Sequence, residues 1–153
     1  MPIVFLIIGI ILIDQLSKFY IQETMTIGMS HPIITGVFHI TYILNPGAAF
    51  GILENQRIFF IFIAIAMIFV VAYIYPKLPS NSSLLRLGIA LLVGGAIGNV
   101  IDRVKFGYVV DFFDFRIWPI FNIADITIVI GVTLIIYSMV FLSNIKDESN
   151  ESR

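Results

Sequence analysis

The chain has 153 residues, of which 59% are hydrophobic and only 12% are charged, with a mean hydropathy of +1.01. A soluble domain carries about 25% charged residues, so this composition predicts an integral membrane protein. The net charge of −1 gives no indication of a nucleic-acid partner. The absence of cysteine excludes disulfides, thiolate catalysis and cysteine-ligated metals. Two histidines, His31 and His39, are too few for a histidine-rich metal site and are predicted to be surface or loop residues.

Four segments are long and apolar enough to cross a membrane, which takes about 20 residues in a helix. The predicted helices cover about 3–21, 58–75, 84–101 and 120–142. The apolar start lacks a basic region and a cleavage site, so it is predicted to be a retained helix and not a signal peptide. The fold prediction is an all-α integral membrane protein with four transmembrane helices. A single membrane-embedded domain, 1–143, is followed by a polar tail, 144–153.

The connections between the helices differ in character. Within the first, residues 31–53 alternate enough to predict a small β-like segment between helices 1 and 2. The pairs Asn45-Pro46 and Pro46-Gly47 argue against a further span there. Residues 76–83 form a short polar turn, and 102–119 form the third connection.

Four spans place the first and third connections on the same side of the membrane, together with seven of the ten acidic residues. Asp14 and Lys18 come late in predicted helix 1, Asp102 ends helix 3, and Asp125 begins helix 4. The sequence therefore predicts one polar site near one membrane surface. Lysine and arginine are divided too evenly between the two sides for the positive-inside rule to give the orientation.

Several polar residues have simple structural interpretations. Asn99, Asp102 and Arg103 share a helix face, which predicts a helix-end network in which Arg103 neutralises Asp102. Asp14 and Lys18, at i and i+4, predict a helix ion pair. A stripe of small residues on helix 3 predicts close packing of a neighbouring helix; it consists of Gly94, Gly95 and Gly98.

Asp111 and Asp125 are the candidates for chemistry, whereas Asp114 is predicted to be a solvated loop charge. Two carboxyls held close together cannot both ionise easily, so one keeps a proton near neutral pH. The ionised one can then take a proton from water while the protonated one polarises a carbonyl. The HExxH and G-x-S-x-G motifs of other hydrolases are absent.

Two other functions fit the residues. A proton-coupled transporter or channel subunit would use Asp14, Asp102 and Asp125 as a relay through the membrane. A non-enzymatic scaffold would pack through the glycine stripe.

The ordered segments "DQLSK" (14–18), "NPGAAFG" (45–51), "GGAIGNVIDR" (94–103), "VVDF" (109–112) and "FNIAD" (121–125) resemble the lipoprotein signal peptidase, or signal peptidase II, family. The resemblance implies an aspartic endopeptidase of the bacterial cytoplasmic membrane. Its substrates are lipid-modified prolipoproteins, cut immediately before a diacylglyceryl-modified cysteine. It implies no cofactor and no metal, with both termini cytoplasmic and the active site near the outer face. Membrane lipids are the other expected partners, and we expect a monomer.

Carried over by position, the family's catalytic dyad falls on Asp111 and Asp125. The supporting or substrate-binding residues that the resemblance implies are Asp14, Lys18, Asn45, Gly47, Ala48, Phe50, Asn99, Asp102, Arg103, Asn122 and Ala124.

Overall fold

The computed structural model of the chain describes residues 3–47, 54–78 and 82–151. Its four long helices are α1 (Ile3–Thr24), α2 (Arg57–Ile74), α3 (Ser83–Phe106) and α4 (Ile123–Glu151). A turn of 3-10 helix, Tyr75–Lys77, follows α2 directly. All four helices are long and apolar enough to span a membrane, which confirms the predicted number of spans.

The helices differ in how much of their surface the protein covers. Half of the most apolar stretch of α3 is buried, whereas α2 buries none of its residues. The centre of the bundle is therefore α3. Helix α2 lies at its edge, with one face partly covered by α3 and the rest of its apolar surface exposed. The glycine stripe of α3 explains how neighbours approach it closely. A Cβ atom at Gly94 would collide with Ile10 of α1, and one at Gly95 would collide with Ala124 of α4.

Three helix boundaries differ from the prediction. Because α1 continues to Thr24, Asp14 lies near its middle and not toward its end. Because α3 continues to Phe106, where Gly107 terminates it in the left-handed conformation (φ 85°), Asp102 lies a full turn before the helix end. Helix α4 begins at Ile123 and not at residue 120, and it continues through the polar segment to Glu151.

A three-stranded antiparallel sheet lies at one end of the bundle, in the order β1 (Ser30–Ile34), β2 (Phe38–Asn45) and β3 (Val109–Asp114). Strand β1, which begins one residue before the predicted β-like segment (31–53), and strand β2 confirm that prediction as far as Asn45. The third strand was missed, since 102–119 was interpreted as a connection only. Residues 109–114 carry no alternation of apolar and polar residues because nearly all of β3 is buried.

The sheet is fixed to the bundle through a small apolar core. Ile21, near the C-terminal end of α1, packs with Tyr42 of β2 and with Val110 and Phe112 of β3. Val110 and Phe112 alternate with Asp111, so Asp111 points to the opposite face of the strand. The core therefore determines which way the Asp111 carboxylate is directed.

Candidate active site

The first turn of α4 is built around Asn122 and Asp125. The Asn122 Oδ1 atom accepts a 2.9 Å hydrogen bond from the Asp125 backbone N–H, and Asp125 Oδ2 accepts a 3.2 Å bond from the Asn122 N–H. These reciprocal bonds form a capping box, with Asn122 as the N-cap. The box fixes the position of the Asp125 carboxylate at the point where α4 begins.

The Asp111 carboxylate is held by two side-chain amides. Its Oδ1 atom accepts a 2.7 Å bond from Asn122 Nδ2, and its Oδ2 atom accepts a 2.8 Å bond from Asn45 Nδ2. Asn45 pairs with Val109 in the sheet, which brings it beside β3. Asn122 therefore contacts both candidate carboxylates, one through its side chain and one through its backbone. The two residues that the sequence singled out are brought together.

The surroundings of Asp111 oppose its ionisation. It is 1% exposed, and this burial, together with the nearby charge of Asp125, raises its pKa from 3.8 to about 7. The hydrogen bonds from Asn45 and Asn122 offset only part of the rise. Asp125 is only partly buried. Near neutral pH the pair therefore contains a buried carboxyl, Asp111, that holds a proton for part of the time, beside the more accessible carboxyl of Asp125.

This pKa predicts a pH-dependent stability. The folded state binds the Asp111 proton more tightly than the unfolded state, whose pKa is near 3.8. The contribution of Asp111 to the free energy of unfolding is therefore fully present below pH 3.8 and is lost as the pH rises through about 7. Asn at this position does not titrate. We expect Asp111→Asn to raise the melting temperature, relative to the wild type, more at pH 8 than at pH 4.5. An equal shift at both pH values would contradict the raised pKa.

Asn99 connects this pair to the interior of the bundle. Its Nδ2 atom donates to Asp125 Oδ1 at 2.8 Å, and its Oδ1 atom accepts from Lys18 Nζ and from Asn122 Nδ2, each at 3.1 Å. A cation on one side of Asn99 thus fixes the orientation of its amide, so that an N–H group faces Asp125.

Lys18 is the centre of a buried charge network. Its Nζ atom lies 2.9 Å from Asp14 Oδ2 and 3.0 Å from Asp102 Oδ2, and all three side chains are at most 1% exposed. The predicted Asp14–Lys18 pair is confirmed. The partner predicted for Asp102 was wrong, because the cation that neutralises it is Lys18 and not Arg103. Gln15 bridges the same carboxylates, donating to Asp102 Oδ1 at 2.9 Å. It was missed although it lies inside the "DQLSK" segment.

The network also supports the start of α4. Asp14 Oδ1 accepts a 3.0 Å bond from the Ala124 backbone N–H, one of the first N–H groups of the helix, which have no partner within it. A Cβ atom at Gly98 would collide with the Asp14 carboxylate, so this approach requires glycine. Asp14, Asp102 and Lys18 therefore form a closed set of bonds at one level of the bundle, which does not fit a relay running through the membrane.

Arg103 contacts the segment that follows β2. It donates a 2.9 Å bond to the Gly47 carbonyl, and its guanidinium lies 4.6 Å from the centroid of the Phe60 ring. The Gly47 N–H in turn donates to Asn45 Oδ1 at 2.9 Å, which leaves the Asn45 Nδ2 atom directed at Asp111. Arg103 thus holds this end of the strand in place. Ala48 and Phe50 lie outside the described residues.

Asp114 is not the solvated loop charge that was predicted. It is 3% exposed, accepts a 2.8 Å bond from Thr41 Oγ1, and forms a 2.9 Å salt bridge with Arg116. Burial opposes its ionisation, but the bonds from Thr41 and Arg116 hold its pKa below 3.8. Asp114 therefore stabilises the far end of the sheet. His39, near it on β2, is partly buried and lies 3.1 Å from Ser30 Oγ, so the surface prediction fits only His31.

The fold and the site together define an integral membrane protein with a pair of carboxyls suited to acid–base chemistry, positioned where a spanning helix begins. Within the described residues no group of three His, Cys, Asp or Glu side chains is placed to hold a metal ion. Residues 6–141 match the model of the family described as signal peptidase (SPase) II. The chain belongs to the signal peptidase II family, and membership of this family implies a protease.

Relatives and solved structures agree with this assignment. The lipoprotein signal peptidase of Moorella thermoacetica is 46% identical over 139 residues, which cover 91% of this chain and 93% of the relative. That of Halothermothrix orenii is 50% identical over 128 residues, covering 83% and 87%. A structure described as a bacterial membrane enzyme, determined by the in meso method at 2.3 Å resolution, is 39% identical. It superposes with a TM-score of 0.84 over 97% of this chain and 90% of that one.

Proposed function

We propose that this protein is an aspartic endopeptidase that cleaves the signal peptides of diacylglyceryl-modified prolipoproteins immediately before the lipid-modified cysteine. The observation that carries the proposal is the connection of Asp111 and Asp125 through Asn122, with Asp111 buried and Asp125 partly accessible. The substrate class is supported by the names of the relatives, which are lipoprotein signal peptidases.

In the proposed reaction the two carboxyls have different roles. Asp125, the more accessible, takes a proton from a water molecule whose oxygen attacks the scissile carbonyl carbon. Asp111, whose pKa is raised to about 7 so that it holds a proton for part of the time near neutral pH, donates this proton to the carbonyl oxygen. The tetrahedral intermediate then collapses as the C–N bond breaks and the amine receives the proton from Asp125. The hydroxyl proton returns to Asp111, which restores the starting state.

The surrounding polar residues keep these roles distinct. Asn99 and the capping box supply N–H donors to the two oxygens of Asp125, which hold this carboxyl in position. Asp111 has two amide donors, from Asn45 and Asn122, but lies in a dry setting where charge is more costly. The four apolar spans would keep this pair beside the membrane, where a signal helix and its lipid reside.

The test is cleavage by purified protein in detergent or nanodiscs. A precursor carrying the diacylglyceryl-modified cysteine should be cut once, with the new amino terminus at that cysteine. The matched precursor with serine in place of cysteine, which accepts no lipid, should remain intact. Equal cleavage of both precursors would contradict the proposed substrate class, and no cleavage of either would contradict the proposed function.

We further propose that the protein acts as a monomer in the bacterial cytoplasmic membrane, with both termini in the cytoplasm and the sheet outside. The chain has no cysteine, so single cysteines report location without interference. A cysteine replacing Thr35, in the β1–β2 turn, should react with a membrane-impermeant maleimide in intact cells. A cysteine replacing Ser83, at the start of α3, should react only after the cells are opened. Labelling of both in intact cells would contradict this orientation.

A further inference from the structure

A cavity of about 400 Å³ lies between the outer end of α1 and the sheet. Its walls are mostly apolar, formed by Ile21 of α1, Ile33 of β1, Ile40 of β2 and Phe112 of β3. This volume is within the range of about 300–1,000 Å³ that is usual for small-molecule sites, which are also lined mainly by apolar side chains. The cavity is therefore large enough and apolar enough to hold part of a lipid.

The cavity is separate from the carboxylate pair. Phe112 and Asp111 are neighbours on β3 and so point to opposite faces of the strand. Phe112 packs toward Ile21 of α1, whereas Asp111 contacts Asn45 and Asn122 on the other side. The strand itself divides the two, and a molecule in the cavity would not meet the reacting groups.

The cavity is continuous with the membrane-facing side of α1. Leu16, Phe19 and Tyr20 are 64%, 60% and 66% exposed on a helix that is apolar enough to span the bilayer. Tyr20 belongs both to this exposed surface and to the cavity wall. On the opposite wall, Ile33 of the hairpin is 61% exposed. An acyl chain lying along α1 would therefore reach the cavity sideways without crossing a polar barrier.

The polar side chains of the lining, Ser17, Tyr20, Thr24 and His31, are the candidates to contact the polar part of a lipid. The Ser17 and Thr24 hydroxyls donate to the backbone carbonyls of Asp14 and Tyr20, each at 2.7 Å, so they are not free to donate to a ligand. The Tyr20 hydroxyl and the exposed His31 ring are the donors that remain in the lining. Both suit the ester or phosphate oxygens of a glycerophospholipid, since amphipathic aromatic side chains favour the headgroup level.

We propose that this cavity holds an acyl chain of a bilayer glycerophospholipid from the leaflet beside the sheet, separately from the substrate. The bound lipid fills the space between α1 and the sheet and supports Phe112, the residue next to Asp111. The continuity with the membrane-facing side of α1 favours a bilayer lipid over a second protein copy. The proposal does not depend on the reaction proposed above.

The first test uses fluorescence quenching by lipid. Trp118 is the single tryptophan, so Trp118→Phe removes the native tryptophan fluorescence. Ile33→Trp then reports on the cavity, and Ile34→Trp is its matched control, since it is the next residue and similarly exposed (56%) but does not line the cavity. In nanodiscs of phosphatidylglycerol with brominated chains, Ile33→Trp should be quenched at least twofold. The quenching should persist after transfer into unbrominated detergent, whereas Ile34→Trp should recover.

A second measurement remains informative if the introduced tryptophan itself displaces the lipid. Native mass spectrometry of the detergent-purified protein should show one retained phospholipid, reduced at least fivefold in Ile33→Asn and unchanged in Ile34→Asn. Loss of quenching in detergent for both reporters, together with equal lipid retention in both asparagine variants, would overturn the proposal. So would quenching that arises only when a precursor with brominated diacylglyceryl chains is added, because the occupant would then be the substrate's lipid.

Discussion

Asp111→Asn and Asp125→Asn are each expected to abolish cleavage while leaving the protein folded. Asparagine keeps the shape of the side chain but removes the charge and the titrating proton. General acid–base catalysis alone contributes about 10²–10⁴-fold to a rate, and loss of either carboxyl disables the pair. The double variant should be scarcely slower than either single one, because groups that act as a unit are not additive. The measurement is the single-turnover rate on the lipidated precursor.

The matched control for this pair is Asp114→Asn, which makes the same change on the same strand. Asp114 is buried like Asp111, but its partners are Thr41 and Arg116 at the far end of the sheet. It should keep a rate within a few fold of the wild type at a temperature where it remains folded. A tenth or more of the wild-type rate in Asp125→Asn would contradict the dyad. If Asp114→Asn were as slow as Asp111→Asn and Asp125→Asn, the loss of activity in all three would be explained by disruption of the sheet and not by loss of the dyad.

The second large effect is expected for Lys18→Met, which should lower the stability of the protein. Lys18→Met leaves Asp14 and Asp102 buried without the cation that both contact. Removing one partner of a buried ion pair typically costs about 3–5 kcal/mol, because the remaining charge is uncompensated. We expect a loss of this size in the free energy of unfolding, measured by reversible denaturant titration in mixed micelles.

Two further variants separate charge from packing at this position. Adding Asp102→Asn to Lys18→Met removes one of the two carboxylates left without a cation. The double variant should therefore recover part of the lost free energy of unfolding, since coupled neighbours interact by about 0.5–3 kcal/mol. Lys105→Met, an exposed lysine near the end of α3, should change the free energy of unfolding by at most about 0.5 kcal/mol. No recovery in the double variant would show that Lys18 acts through its alkyl chain and not its charge.

Much of this arrangement was predictable because membrane segments have a strong sequence signal. The four spans follow from hydropathy, and a single polar site was predicted from the clustering of Asp102, Asp111 and Asp125 at the helix ends and connections of one side, although Asp14 lies deeper than expected. The β-like segment followed from alternation. The third strand did not, because β3 is buried on both faces and its residues do not alternate.

Which residues belong to the site was easier to predict than which of them contact each other. Sequence spacing relates residues on one helix, so it assigned Arg103 to Asp102. The contacts between Lys18 and Asp102 depend on how closely α1 approaches α3. Asp114 was misassigned for the same reason, because Thr41 reaches it only through the pairing of β2 with β3. Long-range pairing determines both, and no local pattern reports it.

The bridge that Asn122 makes between Asp111 and Asp125 has a geometric consequence. In the described part of the chain one short side chain acts as the spacer between a strand and a helix, and its length determines how far apart the two carboxyls stand. Glutamine has the same amide group but one more methylene, so it would cap α4 less well and move the strand outward. The Asp111 and Asp125 carboxyls would then stand farther apart. The separation of the two carboxyls is thus set by the length of one side chain that carries no charge.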